Sequence, residues 1–230
     1  MSRHGLLAAA GLAIAIAIAG LRPQATPGPF LRDFEAYWAA GSAWNARQDP
    51  YGRAVWKNER TVAGVDARRD ELLPFVGPPV TLLAWSLIAR LPYELAARIW
   101  ATLLAVCTLA LVAGVIAGSG SPIAAFSFFA MLALAIAFGP ITSDLALGQL
   151  ALPAFLAATL VTLLSERRPA AGAIASCFAF AQPNAALGLV SQLGRNRVTL
   201  AIVAGAIASF VAGALAWGLA WPAPYARALW

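Results

Sequence analysis

"AARIWATLLAVCTLALVAGVIAG", residues 96–118, decides the fold class. From Ile99 to Gly118 it runs twenty residues without a charge, the length an α-helix needs to cross about 30 Å of hydrocarbon. The rest of the chain has the same character. Of 230 residues, 61% are apolar and only 11% charged, against roughly 25% charged in soluble domains. The mean hydropathy is +0.75. In hydrocarbon every backbone N–H and C=O must be satisfied within the protein, so such a sequence predicts an all-α membrane protein.

Working outward, further spans are expected at about 74–90, 122–139, 147–165, 170–193 and 198–220. With an uncleaved anchor in 1–22, whose apolar run is Gly5 to Leu21, this makes about seven transmembrane helices. The run resembles a signal peptide, but it is longer than a typical h-region and Arg22-Pro23 follows it. The resulting plan is the anchor, an extracytoplasmic loop over 23–73, a bundle of about six helices over 74–221, and the start of an outer loop at 222–230.

Charge is concentrated in that first loop. Residues 21–71 hold seven of the ten acids and eight of the sixteen Lys and Arg. The formal charge of +6 does not indicate nucleic acid, because six of the other eight punctuate apolar runs: Arg90, Arg98, Arg167, Arg168, Arg195 and Arg197. These read as topology signals facing lipid phosphates. Simple alternation from a cytoplasmic N-terminus places Arg90, Arg98, Arg195 and Arg197 inside but "SERRP", 165–169, outside, against the positive-inside rule. A re-entrant segment at "GPITSDLALGQ" (139–149) or "FAQPNAA" (180–186) would relieve the conflict. His4, Cys107 and Cys177 form no metal spacing, so no metal or other cofactor is expected.

Inside the loop, Phe34, Tyr37, Trp38, Gly41 and Trp44 recur at helical spacing, predicting a helix lying in the membrane surface. Asp33 stands at its start, where an aspartate serves as N-cap and Glu35 suits the first turn. "QDPYG" (48–52) reads as a turn. "PFVGPPVTLLAW" (74–85) puts a double proline at the mouth of a span. Trp217 and Trp221 fit an interfacial aromatic belt. Asp144, Gln149, Gln182 and Asn184 interrupt apolar sequence, where polar side chains bond helix to helix or line a watery path.

The order of "DFEAYWAAGSAW", "DPYG", "PFVGPPVTLLAW", Leu91, Pro92 and Trp100, "LGQL" and "QPN" resembles the polyprenol-phosphate-dependent membrane glycosyltransferases of family 87, of the GT-C fold class. The resemblance runs from about Leu31 onward and matches the front part of a family nearly twice as long. Gly77 before Pro78, Ala151, and Gln182 ahead of Pro183 depart from the family pattern.

The resemblance implies a GT-C-like bundle in a bacterial plasma membrane and an inverting hexosyltransferase. A hexose such as mannose would pass from a polyprenyl-phosphate donor to a lipid or cell-envelope glycan acceptor. It implies Asp33 as general base, with substrate contacts from Arg32, Tyr37, Trp38, Asp49, Tyr51, Arg68, Arg69, Gln149, Gln182 and Asn184. The alternative expectation is a truncated, non-catalytic module or lipid-binding subunit that needs a second membrane subunit. A small transporter ranks below both, since no charged residue sits convincingly at mid-span.

Overall fold

The computed structural model describes residues 31–62, 72–118 and 125–228. The expected anchor over 1–22, His4 and the arginines Arg68 and Arg69 lie outside the described residues. Among those described, every regular element is helical. Two helices are long and apolar enough to cross a membrane: α4, Tyr93–Gly118, and α10, Asn196–Trp217. A third crossing is counted if the bent pair α5 (Ala125–Ala137) and α6 (Gly139–Leu147) is one span. The chain is thus an all-α membrane protein, but about seven transmembrane helices are not supported by the described residues.

The missing spans are broken by identifiable chemistry. The expected span at 74–90 is irregular through the prolines, makes one 3₁₀ turn at Pro79–Thr81, and is helical only over α3, Leu82–Ile88. Apolar helix from Pro79 to Ile88 reaches about 15 Å, half a bilayer. Between α5 and α6 the axis turns by 72°, at Gly139-Pro140, where proline removes a helical N–H. The segment after Gly148, which takes a left-handed φ of 78° as the C-cap of α6, forms a helix of only 14 residues, α7, Ala151–Leu164. The expected span 170–193 is two short helices, α8 (Pro169–Ala179) and α9 (Pro183–Val190), interrupted at Gln182-Pro183.

The chain divides into two compact units. In the unit containing 101–206, α7, α8, α9 and α10 share a core of Ala157, Val161, Ala175, Ala179, Leu189, Val198 and Ile202. Backbones approach closely through small residues. A Cβ at Gly172 would strike the Ser165 hydroxyl, and one at Gly205 would strike Ser176. The hydroxyls do not go unused, because Ser165 Oγ donates to the Val161 carbonyl. Small residues with back-bonded hydroxyls are how helices associate when lipid is as apolar as the side chains.

That unit also brings the arginines of two loops together. Arg195 meets Glu166 at 3.5 Å and Arg197 Nη1 donates to the Glu166 carbonyl at 2.6 Å. Both arginine pairs, 167/168 and 195/197, therefore lie at one end. The chain between them makes two helices of 11 and 8 residues, about 17 and 12 Å long, each too short to cross the hydrocarbon by itself.

The second unit contains residues 24–100 and 207–230. Its centre is α1, Arg32–Asn45, packed on α2, Arg53–Glu59, and on α3. The stripe expected to lie in the membrane surface faces protein instead. Phe34 stacks on Trp100 (ring centroids 5.7 Å apart) and meets Trp85 edge-on; Tyr37 stacks on Trp85 at 4.9 Å. Gly41 is required here, because a Cβ would run into the backbone carbonyl of Trp85. Trp217 and Trp221, expected in an interfacial belt, pack on Trp44 and Tyr51 and on Phe210 and Tyr225, the last two rings flanking Trp221; α11 is Pro222–Ala228.

Candidate functional site

Both ends of α1 carry non-glycine residues in the left-handed backbone region. At the start it is Leu31, φ 64°, buried, whose carbonyl accepts from Glu35 N–H and from the Tyr93 hydroxyl at 3.3 Å. Leu31 is the N-cap, and no side chain caps the helix. Asp33 therefore does not serve as the cap: it occupies the second helical position, partly exposed, beside half-buried Arg32. Backbone strain of this kind persists where surrounding structure overrides it, and it concentrates at working sites.

At the other end, Arg47 (φ 57°) closes a Schellman motif: Gln48 N–H donates to Ala43 O and Arg47 N–H to Trp44 O, both 2.9 Å. Glycine is the usual residue there, since it has no Cβ to crowd. The chain then turns as expected at "QDPYG". Asp49 Oδ1 accepts from Tyr51 N–H at 2.9 Å, and the Tyr51 hydroxyl donates to the Gly77 carbonyl at 2.8 Å. The Tyr225 hydroxyl donates to the Val76 carbonyl at 3.3 Å. Two phenols thus satisfy carbonyls that the proline-rich segment cannot place in a helix. Burial, with Tyr225 and Asp49 adding, pushes the Tyr51 phenol well above its ordinary range. Burial also raises Tyr225.

These turns shape a cleft of about 660 Å³ lined by Trp44, Asn45, Arg47, Gln48, Asp49 and Trp217. The two indoles stack at 5.6 Å and 29° in its wall. The four polar residues are exposed. A second cavity, about 510 Å³ within the other unit, is lined by apolar side chains with Asp144 and Gln192 among them.

Of the residues singled out in the sequence, Arg32, Asp33, Tyr37, Trp38, Asp49 and Tyr51 fall in one unit; Gln149, Gln182 and Asn184 fall in the other. Tyr37 and Tyr51 are joined through Phe75, at 6.3 and 5.2 Å. Trp38 is engaged structurally, its indole N–H donating to Leu91 O at 3.0 Å. Gln149 follows the α6 cap, its N–H donating to Asp144 O at 3.0 Å; Gln182 sits at the N-cap position of α9 without a side-chain capping bond; Asn184 is exposed. Neither cavity is lined by Asp33.

The burial of two carboxylates was missed by sequence reasoning, which read Glu35 only as a first-turn residue. Glu35 and Glu59 are 2% and 1% exposed, and Glu59 Oε2 accepts from Leu73 N–H at 3.2 Å. The signal was present: Glu59 continues the buried Val55, Glu59, Val62 face, and Glu35 heads the Glu35, Ala39, Ala43 line. Among the described residues, no three His, Cys, Asp or Glu side chains gather as a metal site.

No family model, curated protein or solved structure matches this chain.

Proposed function

We propose that the chain is a membrane hexosyltransferase acting where water meets bilayer, with Asp33 as general base. The observation that carries this reading is the position of Asp33: it is partly exposed, follows a strained Leu31, and does not serve as the helix cap. In the step envisaged, Asp33 takes the proton of an acceptor hydroxyl as that oxygen bonds to the anomeric carbon. The bond from that carbon to the lipid phosphate breaks with inversion, and polyprenyl phosphate leaves as an anion. Arg32, next in sequence, supplies positive charge for the departing phosphate.

The aromatic distribution favours the same location. All eight tryptophans and all four tyrosines fall within 24–100 and 207–230, and these amphipathic rings suit a boundary that is apolar on one side and wet on the other. On this reading the arginine-rich end at 166–168 and 195–197 faces the cytoplasm of a bacterial plasma membrane, and the segment through "FAQPNAA" enters the membrane and returns. The broader GT-C plan and its further spans belong to the same proposal.

The test is Asp33→Asn in protein reconstituted with a polyprenyl-phosphate hexose and a glycolipid acceptor. Transfer should fall roughly 10²- to 10⁴-fold with the melting temperature unchanged. Undiminished transfer removes Asp33 as the base. Absence of transfer in the unmodified protein, restored by a co-purified membrane partner, favours the non-catalytic module.

A further inference from the structure

The cleft at the far end of α1 is not accounted for by chemistry at Asp33. Trp44 lies eleven residues beyond Asp33, three helical turns and about 17 Å along the same face. Between them Tyr37 is stacked on Trp85 and Gly41 lies under the Trp85 backbone. The packing of α3 separates the two ends, so the cleft needs an occupant of its own.

We propose that it is a carbohydrate-binding cleft, specific for a neutral glycan. Its volume of about 660 Å³ lies within the roughly 300–1,000 Å³ of small-molecule sites. The wall is made of two half-buried indoles, Trp44 and Trp217, stacked on one another; the indole surface that this pairing leaves uncovered is flat and electron-rich and accepts the polarised C–H bonds of a sugar ring. The rim carries Asn45, Arg47, Gln48 and Asp49, planar donors and acceptors that match pairs of vicinal hydroxyls.

Charge decides between a sugar and a lipid phosphate. Arg47 and Asp49 cancel, so the cleft has no net charge to retain an anion. An indole pair by itself would fit a membrane belt; the concavity and its four exposed polar residues do not. Asn45 is already anchored, its amide donating to Ser86 O at 2.8 Å, which leaves its carbonyl oxygen as an acceptor. Arg47 keeps its guanidinium at the rim from a backbone position that favours glycine.

That last feature makes the proposal separable from simple packing. Arg47→Gly should raise the melting temperature, because glycine accepts φ 57° without strain, and should weaken glycan binding at least tenfold. Asp49→Asn keeps the oxygen that accepts from Tyr51 N–H and should weaken binding severalfold, while Trp217→Ala should abolish it.

Binding is read by saturation-transfer NMR and equilibrium dialysis, on the full chain in nanodiscs. The probes are neutral manno-, gluco- and galacto-oligosaccharides of two to four units, with glycerol phosphate and inositol phosphate as anionic comparators. Binding of a neutral oligosaccharide that Arg47→Gly weakens in a better-folded protein supports the cleft. Binding of the anionic probes alone, of no probe, or of sugars equally to Arg47→Gly overturns it. The assay involves no transfer, so its outcome is independent of Asp33→Asn.

Discussion

The unit built from 24–100 and 207–230 and the unit built around 101–206 solve the same packing problem with different residues. The first holds every tryptophan and tyrosine of the chain; the second holds none. In the first, rings interlock at 5–6 Å, and indole and phenol groups donate to carbonyls that irregular backbone leaves open, Trp38 to Leu91 and Tyr51 to Gly77. In the second, backbones come together over glycine and serine; hydroxyls such as those of Thr108, Thr159 and Ser165 donate back into their own helices, and Ser176 donates across to the Ile202 carbonyl. Irregular backbone needs external donors, and large amphipathic rings provide them. Regular helices satisfy themselves and need only small residues to approach. A polar site is therefore expected in the aromatic unit, and a scaffold in the other.

The strongest way to break this contrast is at Gly41. Its neighbour is backbone, the carbonyl of Trp85, with Ala89 Cβ at 2.9 Å beyond it. No rotamer change moves a carbonyl, so Gly41→Ala must displace α3 against α1. The expected cost is about 3 kcal/mol, the upper end for overpacking a tight contact, read as a lower melting temperature in detergent. A variant that melts with the unmodified protein would mean the two helices do not lie this close.

Gly172→Ala in the other unit should cost less, about 1–2 kcal/mol. Its nearest obstacle is the Ser165 hydroxyl, a side-chain atom, although Ser165 Cα and Cβ stand at 3.0 Å behind it. Adding Ser165→Ala should recover part of the loss, whereas no side-chain deletion can rescue Gly41→Ala. A double-mutant cycle on Gly172 and Ser165 gives the coupling directly, and a coupling of zero would remove the small-residue account of this unit.

The all-α membrane class was legible in the sequence because apolar run length is a direct consequence of bilayer thickness. The number of crossings was not, because hydropathy does not register breaks. Gly139-Pro140 and Gln182-Pro183 divide stretches that count as single spans by composition, and Pro78-Pro79 delays the helix until only ten residues remain. The conflict with the positive-inside rule at 167–168 drew attention to 139–149 and 180–186, and each of these stretches holds such a break. At the candidate site, the "QDPYG" turn and the helical aromatic stripe followed from local chemistry. The partners of that stripe did not, since Trp217 lies 173 residues after Trp44 and their pairing depends on tertiary packing. Asp33 looked like a cap because aspartates before helices usually are; Leu31, buried and left-handed, starts the helix two residues earlier.

The smallest effect expected is at Tyr51, and its pH dependence carries more information than its size. Tyr51→Phe removes the hydroxyl bonded to Gly77 O and leaves that carbonyl to water, a loss of about 1 kcal/mol near neutral pH. Folding raises the phenol's pKa, chiefly through burial, so the folded state favours the neutral form. The stabilisation is then complete below the unfolded value of about 10 and is lost as pH rises above it toward the folded value. Melting curves from pH 7 to 11 should fall more steeply above pH 10 for the unmodified protein than for Tyr51→Phe, so that the two converge under alkaline conditions. Parallel curves would show that the phenol is not sealed beneath the proline-rich segment, and the aromatic unit would lose one of the two hydroxyls that hold its irregular backbone.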